Sequence, residues 1–393
     1  MSSSKPLISV VILSYNNYRY FYEALDSLLQ QDYPNIELIL SNDGAADFDE
    51  QAIRQYLNQN KGSNVKNVII RNNKQNLGTV KSINNAIKVA KGEYVNFFAA
   101  DDAFYDTKVL SNFAHAFHNL PDDEYIVAAQ LGMYDIYLDK LIKLFVDKTT
   151  IKFLKNASPL EAFNEMSTRC LVAAASTCYK KELFEKYGYF DERYKLVEDW
   201  SSALRFSRLG IKFNYFDFIA FKHRDGGISH GNVHGEVKLN KSYEADILNI
   251  MKYEVKPYLE LLSTKQKEKF MAAYTDCKWR FAFRYKFVNS TKFERRDFVL
   301  QNFQQMSLGL YRDLRQYLID QLVGKKLKIF LFSGLLFLIT LLPISLIFNL
   351  PIFLLHLTRV TSLIMMGQAL FLAAYQLYKI VWTRMIKLIK FVI

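Results

Sequence analysis

Two adjacent carboxylates, Asp101-Asp102, close the run Tyr94-Val95-Asn96-Phe97-Phe98-Ala99-Ala100. That short apolar run, entered from Gly92, reads as a strand buried on both faces. Carboxylates at the end of such a strand are costly to hold near a core unless a cation or hydrogen bonds compensate them. In open α/β sheets this end of the strands is where ligands sit. The same pair also suits a capped turn ahead of a helix expected near 110–117, since Asp favours turns and N-caps. A second acidic pair, Glu198-Asp199, precedes Leu204, Phe206 and Leu209 and suits a helix N-terminus through the helix dipole.

Elements that position these acids can be read upstream. Ile8-Ser9-Val10-Val11-Ile12-Leu13 reads as a strand and ends in the polar turn Ser14-Tyr15-Asn16-Asn17. Phe21, Ala24, Leu25, Leu28 and Leu29 have the spacing of one helix face over 20–30, and Tyr33-Pro34-Asn35 stops that helix. A strand over 36–40 ends at Ser41-Asn42-Asp43-Gly44. A helix near 52–57, a strand over 65–71 and a helix over about 80–90 follow, before Lys91-Gly92. Alternation of strand and helix implies a parallel sheet with crossover connections. Ser14–Asn17, Asn42–Asp43 and Asp101–Asp102 all fall at C-terminal strand ends, so they are expected to share one cleft.

Composition narrows the function classes. Half of the 393 residues are hydrophobic and 15% are aromatic, which excludes a disordered chain. Cys170, Cys178 and Cys277 are an odd number without metal-ligand spacing, as expected in a reducing compartment. Residues 1–6 hold no apolar stretch, so a cleaved secretory signal is not expected. The net charge is +12, but residues 325–393 hold eight Lys or Arg and no acid, leaving +4 on the first 324 residues. The basic excess belongs to the tail, and no nucleic-acid partner is expected.

That tail reads as a membrane segment. Residues 329–355 carry no charge, a length above the roughly 20 residues that cross a bilayer as helix. Lys325, Lys326 and Lys328 precede it and place that end in the cytoplasm. A second apolar stretch, 360–382, is interrupted by Lys379, and Arg384, Lys387 and Lys390 follow. A hairpin with both ends cytoplasmic is the simplest topology; Pro343, Asn349 and Pro351 also allow re-entrant pieces.

In order along the chain, several motifs resemble the family 2 glycosyltransferases. They are Ile8-Ser9-Val10-Val11-Ile12-Leu13-Ser14-Tyr15-Asn16-Asn17, then Ala24-Leu25-Asp26-Ser27-Leu28-Leu29-Gln30-Gln31-Asp32-Tyr33-Pro34-Asn35-Ile36-Glu37, and Ser41-Asn42-Asp43-Gly44. Asn76-Leu77-Gly78, Asn84, Lys91-Gly92-Glu93-Tyr94, Gly188-Tyr189-Phe190-Asp191-Glu192 and Glu198-Asp199-Trp200 continue the series. The resemblance covers about residues 6–231. It implies an α/β GT-A fold, here with a helical C-terminal extension and membrane-embedded helices. The implied division is 1–235 for the GT-A domain, 236–324 for the extension and 325–393 for the membrane hairpin and basic tail.

The resemblance also assigns roles. Leu13, Tyr15, Asn16 and Asp43 are expected at the base and ribose of a nucleoside-diphosphate sugar, with Asp102 and Arg224 as further donor contacts. Asp101 is expected to hold a divalent metal, Mg²⁺ or Mn²⁺, which prefers oxygen ligands and bridges the diphosphate. Ala99 occupies the position of the first aspartate of that motif, a departure from the family pattern. Asp199 is the expected base of an inverting transfer, with Glu198 shaping its surroundings. Arg224, in His223-Arg224-Asp225-Gly226-Gly227, offers a bidentate phosphate clamp. His223, His230 and His234 do not have zinc-site spacing.

The expected function is an inverting sugar transfer, on the cytoplasmic membrane face, to a polyprenyl-linked glycan in cell-surface polysaccharide synthesis. Synthesis of a polyprenyl-phosphate sugar is the enzymatic alternative, and a non-catalytic nucleotide- or glycan-binding scaffold, suggested by Ala99, is the alternative from another class.

Overall fold

The structure, a computed structural model, describes residues 5–227 and 240–286, apart from the side chains of Phe283 and Lys286. The expected membrane tail, the end of the helical extension, His230 and His234 lie outside the described residues. Among the described residues no helix is long and apolar enough to cross a membrane.

The first half follows the sequence pattern. β1 (Ile8–Ser14), α1 (Phe21–Leu29), β2 (Ile36–Asn42), α2 (Glu50–Asn60), β3 (Val65–Asn72), α3 (Thr79–Val89) and β4 (Tyr94–Ala99) alternate. β1 pairs in parallel with both β2 and β4, and β2 with β3. β5 (Ala103–Phe104), α4 (Val109–His118), β6 (Ile126–Tyr134), β7 (Leu141–Leu144), α5 (Lys148–Asn156) and α6 (Pro159–Met166) come next. β8 (Thr177–Lys180), α7 (Glu182–Tyr187), α8 (Glu198–Arg208) and β9 (Asn214–Arg224) complete a sheet of order β3-β2-β1-β4-β8-β6-β9-β5, with β7 on β6. β8 runs antiparallel to β4 and β6, so the sheet is mixed rather than wholly parallel.

Both faces are covered, which is why the strands read as continuous apolar runs. Val11, Ile39, Val95 and Phe97 join Ile83 and Ile87 of α3 and Trp200 and Leu204 of α8. Their neighbours Val10, Ile12, Leu38, Leu40 and Phe98 turn to the other face, against Leu25 of α1, Ile53 of α2 and Phe113 of α4. Register then levels the strand ends: Ser14 lies opposite Asn42, and Leu13 opposite both Ser41 and Ala99.

The chain divides into a compact unit, Met1–Cys277, and a second, Lys278–Ile393. α9 (Lys241–Ile250) and much of α10 (Thr264–Phe281) fall in the first. Ile250, Met251, Val255, Leu262 and Phe270 join the core shared with α3 and α8. Residues 241–277 are therefore built into the same unit as the sheet, although the sequence motifs suggested a boundary at 235.

Several motif residues serve the opposite end of the sheet. Glu37, fully buried, accepts from Ser9 Oγ (2.6 Å), the Lys91 backbone N–H (2.7 Å) and Asn67 Nδ2 (2.9 Å). Gly92 donates to Ser9 Oγ at 2.8 Å, and a Cβ there would lie 2.5 Å from Ser9 N. Replacing Glu37 with Ala should cost on the order of 3 kcal/mol, because buried donors lose their acceptor. Denaturant unfolding checks this, and a variant as stable as the wild type would refute the role of Glu37 as the tie of β1, β2 and β3 to the start of β4.

Candidate active site

At the end of β4 the two carboxylates have different surroundings. Asp102 is buried; its Oδ1 accepts from the Arg224 backbone N–H at 3.0 Å and its Oδ2 pairs with His223 Nδ1 at 3.0 Å. Burial alone would lower the His223 pKa, but Asp102 outweighs it and holds it at about 8. Asp101 keeps a partly exposed side chain and accepts from Asn17 Nδ2 at 3.2 Å. Burial and then the Asp102 charge push its pKa up, against the pull of His223 and Asn17. A carboxylate so placed fits an added cation.

Arg224 does something other than the expected phosphate clamp. Its side chain points into protein and the residue is 3% exposed. Nε donates to the Asp101 carbonyl at 2.8 Å, Nη1 to the Ile136 carbonyl and Nη2 to Glu23 Oε2. The guanidinium also stacks over the Tyr20 ring, 3.9 Å from its centroid. Arg224 thus braces the backbone beneath Asp101, and its donors are engaged by protein. Asp102 is likewise engaged by β9.

Asp43 is also occupied. Its Oδ1 accepts from Asn73 Nδ2 (3.0 Å), the Leu77 N–H (2.8 Å) and Ser82 Oγ (2.8 Å), and its Oδ2 from the Gly78 N–H (2.9 Å). It clamps the loop that enters α3. Gly44, at φ +81°, follows it, where a Cβ would sit 2.5 Å from Gln75 C. Only a residue without Cβ passes there. On the adjacent strand, Leu13 packs partly against the core shared with α3 and α8, and Tyr15 is 45% exposed. Its N–H is held by Asn17 Oδ1 at 3.0 Å, and Asn16 takes φ 53°, a conformation Asn tolerates.

The second acidic pair opens α8. Glu198 is 6% exposed, and its Oε2 has no hydrogen-bond partner. Burial, then Asp199, then Asp246 push its pKa well above the usual carboxylate range. Asp199 is partly exposed, and its Oδ1 accepts from the Trp200 N–H at 2.6 Å. Burial raises its pKa to about 6, against backbone N–H bonds from Trp200 and Ala174. The Ala174 bond locates this carboxylate. β8 runs antiparallel to β4 with Asn96 opposite Cys178, so the chain before Thr177 heads toward the C-terminal end of β4. Asn96 Nδ2 fixes that stretch by donating to the Ala175 and Thr177 carbonyls, both at 2.9 Å.

The site therefore brings Tyr15, Asn16, Asp101 and Asp199 to one end of the sheet, with Asp43, Asp102 and Arg224 as its inner braces. Among the described residues no group of three or more His, Cys, Asp or Glu is set to hold a metal. Asp101 is the carboxylate whose chemistry fits one, with further oxygens to come from a phosphorylated ligand and water. Asn17, Glu23 and Asn73 were not singled out from sequence, and His223 was weighed only as a member of a histidine group. Asn17 lay in the first polar turn, while Glu23 and Asn73 are joined to the site only by folding.

Comparison with known proteins follows this geometry. Residues 9–188 match the family described as glycosyl transferase family 2. An uncharacterised glycosyltransferase of Rickettsia typhi is 30% identical over 212 residues, 54% of this chain and 61% of that protein. The amylovoran biosynthesis glycosyltransferase AmsB of Erwinia amylovora is 27% identical over 52% of this chain and 65% of its own length. The chain thus spans about three fifths of the length of the Rickettsia relative. In fold it is similar to Staphylococcus aureus TarS 1–349 in complex with UDP, at TM-score 0.50 and 18% identity, over 74% of this chain and 77% of that one.

Replacing Asp43 with Ala should release the entry to α3. Hydrogen exchange at the Leu77 and Gly78 amides is expected to accelerate by about tenfold or more, as each buried N–H left without an acceptor costs about 1–3 kcal/mol. Unchanged protection at both amides would contradict the clamp.

Proposed function

We propose that the chain, whose residues 9–188 match the family described as glycosyl transferase family 2, moves a sugar from a nucleoside-diphosphate donor to an acceptor hydroxyl with inversion, Asp199 acting as the base. The observation that carries this reading is a partly exposed carboxylate at the sheet's ligand end with a pKa raised to about 6. A base poised near neutrality combines ionisation with proton affinity. Asp199 takes the proton of the acceptor hydroxyl as its oxygen bonds to the anomeric carbon. The bond from that carbon to the diphosphate oxygen breaks, and the nucleoside diphosphate leaves with the electron pair. Glu198, whose pKa is pushed higher by burial and by Asp199, favours Asp199 as the member of the pair that ionises first.

On the donor side, the exposed Tyr15 ring offers a stacking face for a base, and Asn16 turns the loop beneath it. Asp43 acts on the donor through the loop it clamps. Asp101 would hold Mg²⁺ or Mn²⁺, which when bound neutralises charge on the leaving diphosphate. Ala99 leaves Asp101 without a carboxylate two residues before it, so more of the coordination falls to phosphate and water.

For the acceptor we favour a polyprenyl-linked glycan at the cytoplasmic membrane face. The charge-free run 329–355 behind three lysines supports this reading, as does a relative whose name places it in amylovoran biosynthesis. Formation of a polyprenyl-phosphate sugar would use the same site.

The test is a panel of UDP-, GDP- and dTDP-sugars offered to membranes bearing the full chain, reading nucleoside-diphosphate release and lipid-linked product. Asp199→Asn should lower turnover by about 100-fold or more. Because the base must be ionised and its pKa is raised, the wild-type rate should fall as pH drops through about 6. Transfer by Asp199→Asn at the wild-type rate would overturn the assignment. Asp101→Asn should weaken the response to Mn²⁺ titration about tenfold or more, the loss typical when one metal-site group is removed; an unchanged Mn²⁺ dependence would remove the metal from Asp101.

A further inference from the structure

Helix α9 lies beyond the family match and carries a carboxylate that the transfer does not use directly. Asp246 is 4% exposed, and its Oδ2 accepts from the backbone N–H groups of Lys195 (2.8 Å), Leu196 (2.6 Å) and Val197 (3.3 Å). These three residues run straight into Glu198-Asp199. The other side of the same segment meets the loop clamped by Asp43. The Val80 N–H donates to the Lys195 carbonyl at 3.2 Å. Gly78, at φ +90°, comes so close that a Cβ would lie 2.6 Å from Lys195 Cγ and 2.8 Å from Lys195 O. Gly78 in turn donates to Asp43. One backbone stretch is therefore gripped from the donor loop on one side and from α9 on the other.

We propose that Asp246 is a positioning residue for the transfer: it fixes the Asp199 carboxylate relative to the donor loop by holding the three backbone N–H groups ahead of it. This inference rests on the reading of Asp199 as the base. A carboxylate suits the task because three converging N–H groups without a helix or strand partner need a compact acceptor, and an ionised oxygen accepts them more strongly than a neutral one. Its charge also bears on the acidic pair, since it helps to raise the Glu198 pKa. The other titratable groups around Glu198 and Asp199 are Cys170, Tyr179 of β8 and Tyr243 of α9, and Lys195 lies beside Asp246. Tyr243 and Asp246 stand one turn apart on α9, so a single helix face serves the pair.

Two substitutions separate position from charge. Asp246→Asn keeps an acceptor oxygen for the N–H groups and removes the charge, whereas Asp246→Ala removes both. Each is measured in membranes bearing the full chain, by nucleoside-diphosphate release from the same panel of UDP-, GDP- and dTDP-sugars across pH. Asp246→Ala should lower kcat by about 100-fold, the scale of a displaced catalytic group, with donor KM within about twofold. Asp246→Asn should keep more activity than Asp246→Ala, and its acid limb should move to lower pH, because a negative charge is removed from beside the acidic pair. A merely structural residue would lower the rate at every pH without moving that limb. An Asp246→Asn protein with wild-type kcat and an unmoved limb overturns the inference, whatever Asp246→Ala does to folding. Asp199→Asn is run beside them. If it transfers at the wild-type rate the base reading fails, and this inference with it; if it is inactive while Asp246→Asn is unaffected, only the role of Asp246 falls.

Discussion

Backbone N–H groups left without a strand or helix partner, and that end on buried carboxylates, hold this site together. Loops at the ligand end of a sheet leave amide groups without ladder partners, and each must find an acceptor. Asp43 takes the Leu77 and Gly78 amides, Asp246 takes those of Lys195 to Val197, and Asp102 takes that of Arg224. Because those loops also touch one another through Val80 and Lys195, the placement of Tyr15, Asp101 and Asp199 is a property of the clamped set rather than of any one loop.

Clamping with carboxylates loads one end of the molecule with negative charge, and its compensation divides the work. Asp102 has His223 and the Arg224 amide as partners deep in the fold. Glu198 lies at the other extreme: one of its oxygens has no partner, and burial pushes its pKa well above the usual carboxylate range. Between them stand Asp101 and Asp199, each partly exposed and each with a raised pKa. In the proposed function those two intermediate carboxylates are the ones that act, Asp101 on a cation and Asp199 on a proton. Differences in burial and partners are how neighbouring carboxylates take different roles.

Much of this was legible in the sequence. The alternation of β1 to β4 with α1 to α3 follows from apolar period and turn residues, and the clusters at residues 14–17, 42–43 and 101–102 do lie at level strand ends. The mixed second half was harder, because β5, β7 and β8 span two to four residues each and carry too little pattern to give their direction. Arg224 shows why residue type alone misleads. A guanidinium beside two glycines suits a phosphate, yet Glu23, Ile136 and Tyr20, far away in the chain, draw it inward. Asp246 left no local signal, since its partners are backbone groups 49 to 51 positions earlier. Glu37 and Asn84 belong to motifs but act as ties: Asn84 exchanges hydrogen bonds with Phe190 and so joins α3 to the loop that leads toward Glu198.

The central claim is direct displacement at the anomeric carbon with Asp199 as the base and no covalent sugar–enzyme intermediate. The anomeric configuration of the product tests it most directly, read by proton NMR on the first-formed glycoside from whichever donor the membranes consume. A product of configuration opposite to that of the donor is the predicted result. Retention of the donor's configuration would contradict the account, because a single carboxylate base at the start of α8 has no means of producing it.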